Sequence, residues 1–89
     1  MDIDIVLPDK RRLVAEIKTT VPYKANELGA QQKAMFEKDF LKLGSMKADV
    51  KLFFLTERRT FDLMRSPKYR CKLPGVKVVL LPQGEEIAA

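Results

Sequence analysis

Charged side chains interrupt two short apolar segments at the start of this chain, and this feature most constrains its fold. Residues 3–7 and 13–21 are rich in Ile, Val and Leu, and Pro8-Asp9 between them has the composition of a tight turn. They predict an antiparallel hairpin whose second strand ends before Pro22, because proline cannot donate to a central ladder. Charges on these strands need partners, because burying an unpaired charge is costly. The charged residues are Asp2, Asp4, Glu16 and Lys18.

An amphipathic helix is predicted over residues 27–43, where apolar residues recur at helical spacing. Asn26 is the expected N-cap, and Gly44 is the expected C-terminal stop. The expected inward residues are Leu28, Met35, Phe36, Phe40 and Leu43.

The segment over residues 50–55 is nearly all apolar, which is typical of a strand buried on both faces and reached through a crossover helix. Residues 57–65 predict a short helix, and residues 76–81 predict a final strand. The stretch 66–74 reads as a basic loop, and 83–89 as a tail. We therefore expect one α/β domain over residues 1–89, with a mixed sheet of about four strands in the order β-β-α-β-α-β, flanked by helices.

The amino-acid composition limits the kinds of catalysis that this chain could perform. The 89 residues include no histidine and one cysteine, Cys71, which excludes histidine-dependent catalytic triads, internal disulfides and cysteine metal clusters. Catalysis would therefore need carboxylates, lysines and a hard cation. The net charge of +5 is typical of a small domain with a polyanionic partner, most often nucleic acid, and an ordinary basic surface is the alternative. No long apolar run or signal peptide is visible, so we expect a cytoplasmic protein without a membrane segment.

The hairpin predicts a metal site. A turn centred near Asp9-Lys10 would place Asp4 opposite Glu16, with Cβ atoms roughly 4.5–5.5 Å apart. Such carboxylates repel unless a cation lies between them, and Mg²⁺, with Mn²⁺ as a substitute, prefers oxygen ligands. Lys18 shares the face of Glu16 and would touch a metal-bound water, while Ile17 could offer its backbone carbonyl. This arrangement suits phosphodiester hydrolysis. The alternative is a surface salt bridge on an ordinary hairpin.

These residues resemble the motif of the PD-(D/E)xK nuclease superfamily, which includes type II restriction endonucleases and Holliday-junction resolvases. The resemblance rests on Asp4 in Asp-Ile-Val-Leu and on Glu16-Ile17-Lys18, followed by a helix and an apolar strand. It implies a restriction-endonuclease-like sheet, metal binding by Asp4 and Glu16, and a catalytic ammonium on Lys18. It also implies a DNA substrate and a homodimer, since two strands must be cut.

This chain departs from the superfamily pattern in two ways. Ile3 stands where the motif often has proline, so Asp2 is an alternative ligand. The helix and strand that usually begin the family core do not precede the motif, so the core is expected to be truncated or completed by a longer parent protein or a partner. Some members carry a glutamine near the start of the following helix, where Gln31 and Gln32 lie.

The densest basic region follows the apolar strand and is the expected DNA-binding surface. Its members are Arg58, Arg59, Arg65, Lys68, Arg70 and Lys72. The sequence thus predicts a Mg²⁺-dependent DNA endonuclease of the restriction type. A Holliday-junction resolvase and a non-catalytic DNA-binding or assembly module with the same fold are the alternatives.

Overall fold

A mixed five-stranded sheet organises the computed structural model, which describes residues 2–22 and 27–87. The elements are β1 (Ile3–Val6), β2 (Arg12–Lys18), α1 (Ala30–Ser45), β3 (Val50–Leu55), α2 (Arg58–Leu63), α3 (Pro67–Arg70), β4 (Lys77–Leu80) and β5 (Glu85–Ile87). The strands lie in the order β1-β2-β3-β4-β5. The predicted α/β class and mixed sheet are confirmed. The described residues contain one more helix and one more strand than predicted, because α3 lies in the expected basic loop and β5 in the expected tail.

The three central strands are parallel, and the two edge strands are antiparallel to their neighbours. Helix α1 is the crossover between β2 and β3, as the apolar run over residues 50–55 predicted. A crossover of this kind covers one face of the sheet with the helix. The carboxyl ends of β2 and β3 consequently meet at one edge, where Lys18 is in register with Leu55.

The core lies between this helical layer and one face of the sheet. Phe36 and Phe40 of α1 meet Phe53 of β3 edge-to-face, with ring centroids 5.7 and 5.6 Å apart, respectively. Leu43 continues the same helical stripe and is fully buried. Met35 was expected to face inward, but it is 59% exposed, because it lies one residue off the stripe that Phe36 begins.

Both predicted ends of α1 differ from the structure. The helix is capped by Gly29, whose N–H donates to Gln32 Oε1 at 2.8 Å. Asn26, the predicted N-cap, lies outside the described residues, as does Tyr23. The prediction that Gly44 stops the helix was wrong: the helix continues through Ser45.

The register of the hairpin also differs from the expected one. The N–H of Lys10 donates to Leu7 O at 2.8 Å, so the turn centres on Pro8-Asp9. Lys10 then adopts a left-handed backbone with φ of 70° and adds one residue to the connection. Consequently Asp4 pairs with Val14 rather than with Glu16. The predicted Asp4–Glu16 opposition was wrong by two residues, because the turn begins earlier than assumed.

The second face of the sheet carries apolar side chains that lie outside the buried core cluster. In the described strands, every member of that cluster lies on the helix-covered face. On the other face, Ile5 and Ile17 are 48% and 40% exposed, and Phe54 is half-buried. Among the described residues, no helix is long and apolar enough to cross a membrane.

Candidate carboxylate–lysine site

Two ion pairs join β2 to the helix that covers it. Glu16 and Lys18 point to the helix-covered face of the sheet, because alternate residues of a strand share a face with Val14. Lys18 Nζ lies 2.6 Å from Asp39 Oδ2, and Lys42 Nζ lies 3.4 Å from Glu16 Oε1. Asp39 and Lys42 are three residues apart on α1 and therefore lie on neighbouring positions of one helix face. We call these four residues the carboxylate–lysine cluster.

Asp2, rather than Asp4, lies beside this cluster. The observed register continues to place residue 2 opposite residue 16, and Asp2 Oδ2 accepts a hydrogen bond of 2.8 Å from the Ile17 N–H. Asp4 is held by Arg12 instead, through bonds of 2.9 and 2.7 Å from Nε and Nη2. That guanidinium lowers the pKa of the Asp4 carboxyl. In the structure the alternative ligand, Asp2, thus lies beside Glu16, whereas the preferred ligand, Asp4, is paired with Arg12.

Glu16 is the buried carboxylate of the site, with only 5% of its surface exposed. Burial raises the pKa of Glu16, and the neighbouring Asp2 carboxylate raises it further, while Lys42 opposes both effects. The Ile17 N–H lowers the pKa of Asp2, so this partner stays ionised. Glu16 Oε1 is buried, and the Lys42 ammonium lies 3.4 Å from it without donating a well-directed hydrogen bond. A buried carboxylate oxygen that is compensated this weakly suits a divalent cation as a further partner.

The donors at this position suit a hard divalent cation. Asp2 and Glu16 supply carboxylate oxygens from opposite strands. Strand β1 is paired only as far as Ile3, opposite Ala15, so the Ile17 carbonyl, like its N–H, is directed to the Asp2 side of β2. Two carboxylates and a carbonyl leave room for waters, which Mg²⁺ usually retains. The described residues contain no group of three or more Asp, Glu, Cys or His side chains suited to a metal, so the candidate site rests on one carboxylate pair.

The two glutamines do not join this cluster. The Gln32 side chain closes the first turn of α1 and donates to Val21 O at 2.7 Å. Gln31 is exposed beside it. Both precede Asp39 by about two helical turns, roughly 11–12 Å along the axis. Their arrangement supports a role in anchoring the start of α1.

The predicted basic surface exists, but ion pairs already engage much of it. Arg58 and Arg65 both contact Glu85, Arg65 at 2.7 Å, and Lys72 Nζ lies 2.6 Å from Glu37. Lys68 lies over the ring of Tyr69. Arg59 reaches Glu57 only at 3.9 Å, and Arg70 is exposed. Because α2 begins directly after β3, Arg58 and Arg59 lie at the same end of the sheet as Lys18.

Asp39 and Lys42 are site residues that the sequence interpretation missed. Charged residues on an amphipathic helix are usually expected on its solvent-exposed face. In the structure the Asp39 side chain is only 13% exposed. The available signal was their spacing: Asp39 follows Phe36 by three residues, and Lys42 precedes Leu43 by one. Both therefore flank the apolar stripe of α1.

The buried carboxylate should make stability depend on pH in the absence of metal. A raised folded-state pKa means that the folded protein binds the Glu16 proton more tightly than the unfolded chain, so stability falls as pH rises through the interval above 4.5. We expect Glu16→Gln in chelator to match the wild type near pH 4 and to melt several degrees higher at pH 8. Thermal denaturation followed by circular dichroism measures this. The exposed Glu86→Gln is the control, and a lower melting temperature for Glu16→Gln at pH 8 would contradict the expected sign.

A cleft of about 570 Å³ lies along α1, but the candidate site is elsewhere. The cleft is lined by Glu37, Phe40, Leu41, Lys72 and neighbouring residues, and neither Glu16 nor Lys18 contributes to it. Enzymes for small molecules usually place their polar groups inside such a cleft. The cluster instead lies between α1 and the carboxyl-terminal part of β2, on the helix-covered face of the sheet.

The fold and the site together define a small α/β protein with a buried carboxylate–lysine cluster on one side of a mixed sheet. The chain matches no protein-family model, no curated protein and no solved structure. Function must therefore be argued from this geometry.

Proposed function

We propose that this chain is a Mg²⁺-dependent DNA endonuclease domain of the PD-(D/E)xK type, with Mn²⁺ as a substitute metal. One observation carries the proposal: Glu16 is buried beside the Asp2 carboxylate, and Lys18 lies on the same face of β2. We assign the metal-binding carboxylates to Asp2 and Glu16, with the Ile17 carbonyl as a further ligand. Asp4 is replaced in this role by Asp2, because Arg12 already binds both of its oxygens.

Each residue of the site has a distinct task in this proposal. A bound Mg²⁺ would polarise a phosphoryl oxygen and acidify a water. Asp2, which precedes β1, and Glu16 of β2 would hold the cation between them. Lys18 directs its ammonium toward the water and offsets charge that develops on the phosphate. Lys42, whose pKa is raised by Glu16, is the counterion of that carboxylate before a metal binds.

The basic residues of α2 and the following segment supply the proposed DNA contacts. Arg59 and Arg70 carry the weakest internal pairing of the described basic surface, so they are the side chains best placed to bind phosphates. Arg58, Arg65 and Lys72 would have to exchange a carboxylate partner for a phosphate. We further propose that the active species is a homodimer in the cytoplasm, since cutting a duplex requires two sites.

Cleavage of supercoiled plasmid and of a four-way junction tests the proposal. We expect plasmid nicking in Mg²⁺ or Mn²⁺ and none in chelator, and selective junction cutting would instead identify a resolvase. A second candidate, a non-catalytic DNA-binding module, is favoured by the fact that Glu16 and Lys18 both have ion-pair partners within the protein, on α1. DNA binding that persists in chelator, without cleavage in any metal, would establish that candidate and reject the nuclease.

A further inference from the structure

Asp39 is a mostly buried carboxylate whose described ion-pair partner is the proposed catalytic lysine. Its Oδ2 lies 2.6 Å from Lys18 Nζ, and the two side chains are 13% and 18% exposed. That oxygen accepts no well-directed hydrogen bond from the described residues, so the ammonium is its main compensation. Removing a carboxylate from water costs free energy unless a partner recovers it. The position of Asp39 is therefore tied to that of Lys18.

The rest of the core fixes where Asp39 lies. Phe40 is the next residue of α1 and packs edge-to-face on Phe53, which is in register with Glu16. Phe36 lies one helical turn earlier, and its ring centroid is 6.0 Å from Lys18 Nζ. A rigid helix thus holds the carboxylate against the strand that carries Glu16. The aromatic contacts make this placement independent of the ion pair itself.

A lysine on its own is poorly fixed, because its flexible four-carbon stem loses rotamer entropy when it is immobilised. A carboxylate at a fixed position restricts the conformations of the lysine side chain before substrate binds. A charged group that is already in position stabilises the transition state most effectively, because it need not reorganise during the reaction. We infer that Asp39 is the positioning residue of Lys18, an inference that rests on the proposed nuclease function. Asp39 acts through the ammonium and does not bind the metal, which is held by Asp2 and Glu16.

Asp39→Asn tests this role because it keeps the shape of the side chain and removes its charge. We expect kcat for plasmid cleavage to fall by about 10–100-fold, the range typical of partners that orient a functional group. KM and the metal concentration for half-maximal rate should change by less than about threefold. Asp39→Glu should recover part of kcat. A kcat within twofold of the wild type, or a loss that follows metal affinity, would overturn the inference.

Two further measurements distinguish positioning of Lys18 from a general effect of Asp39 on the stability of the fold. They also distinguish failure of this inference from failure of the proposed nuclease function. The double variant Lys18→Asp/Asp39→Lys restores the ion pair with its charges exchanged, so it should regain the wild-type melting temperature but should not cleave DNA. Cleavage by this variant would overturn the positioning role of Asp39. The side-chain NH₃⁺ resonance of Lys18, read by NMR without DNA, should be more ordered than that of exposed Lys38 and should lose this order in Asp39→Asn. A mobile Lys18 in the wild type would refute the inference. An ordered Lys18 in a protein that cleaves nothing would refute the proposed function.

Discussion

Glu16→Ala and Lys18→Ala are each expected to reduce Mg²⁺-dependent DNA cleavage by at least about 10²-fold, the loss typical of removing one transition-state-stabilising group. In the proposed mechanism Glu16 is the buried metal ligand, and Lys18 provides the ammonium beside it. Initial rates of plasmid nicking at saturating Mg²⁺ measure the effect. Folding of each variant is checked by circular dichroism, because both side chains also form ion pairs with α1.

Matched controls separate the site from general surface charge. Glu86→Ala removes another strand glutamate, whose partner is Lys77 at 3.3 Å, and it should retain the wild-type rate. Asp2→Asn should lose cleavage as Glu16→Ala does, whereas Asp4→Asn should lose little. If Asp4→Asn lost cleavage and Asp2→Asn did not, Asp4 rather than Asp2 would be the metal ligand. Wild-type rates for both Glu16→Ala and Lys18→Ala would reject the nuclease assignment.

Phe53→Ala is expected to destabilise the fold by about 3–5 kcal/mol, the usual cost of deleting a buried aromatic ring. Phe53 is fully buried and contacts both Phe36 and Phe40, so its loss opens a cavity between the sheet and α1. For a small domain whose total stability is about 5–15 kcal/mol, this change should lower the melting temperature by about 15 °C or more. Urea denaturation and thermal melting both measure it.

Phe54→Ala is the matched control, because the same substitution falls one residue later, on the opposite face of the strand. Phe54 is only half-buried there and lies outside the core cluster. We expect a cost of about 1 kcal/mol, near the average for single substitutions. Equal losses of unfolding free energy for the two variants would mean that the face carrying Phe54 is packed as tightly as the face carrying Phe53, which would contradict this expectation.

Local patterns in the sequence were sufficient to predict much of the fold. The apolar run over residues 50–55 predicted β3 with its observed bounds and a parallel strand after a crossover helix, but the predicted burial on both faces is incomplete, because Phe54 is only half-buried. The stripe of Phe36, Phe40 and Leu43 predicted the buried face of α1. These features follow from burial of neighbouring side chains, which the order of residues records directly. Whether the sheet has a restriction-endonuclease-like arrangement remains part of the functional proposal.

Details set by single residues or by distant partners were not predictable. The hairpin register depends on whether Lys10 adopts a left-handed backbone, a conformation unusual for lysine. The start of α1 depends on the Gln32 side chain reaching both Gly29 and Val21. Pairing of Asp39 with Lys18 joins a helix to a strand that is remote in sequence. A charge on an amphipathic helix is usually solvated, and the position of Asp39 beside the apolar stripe does not identify Lys18 as its partner.

Calorimetric titration with Mn²⁺ or Mg²⁺ in the absence of DNA tests the central claim most directly, namely that Asp2 and Glu16 form a divalent metal site. We expect saturable binding to the wild type, at least tenfold weaker binding to Glu16→Gln and Asp2→Asn, and unchanged binding to Asp4→Asn. No binding to the folded wild type, or equal binding to Glu16→Gln, would contradict it.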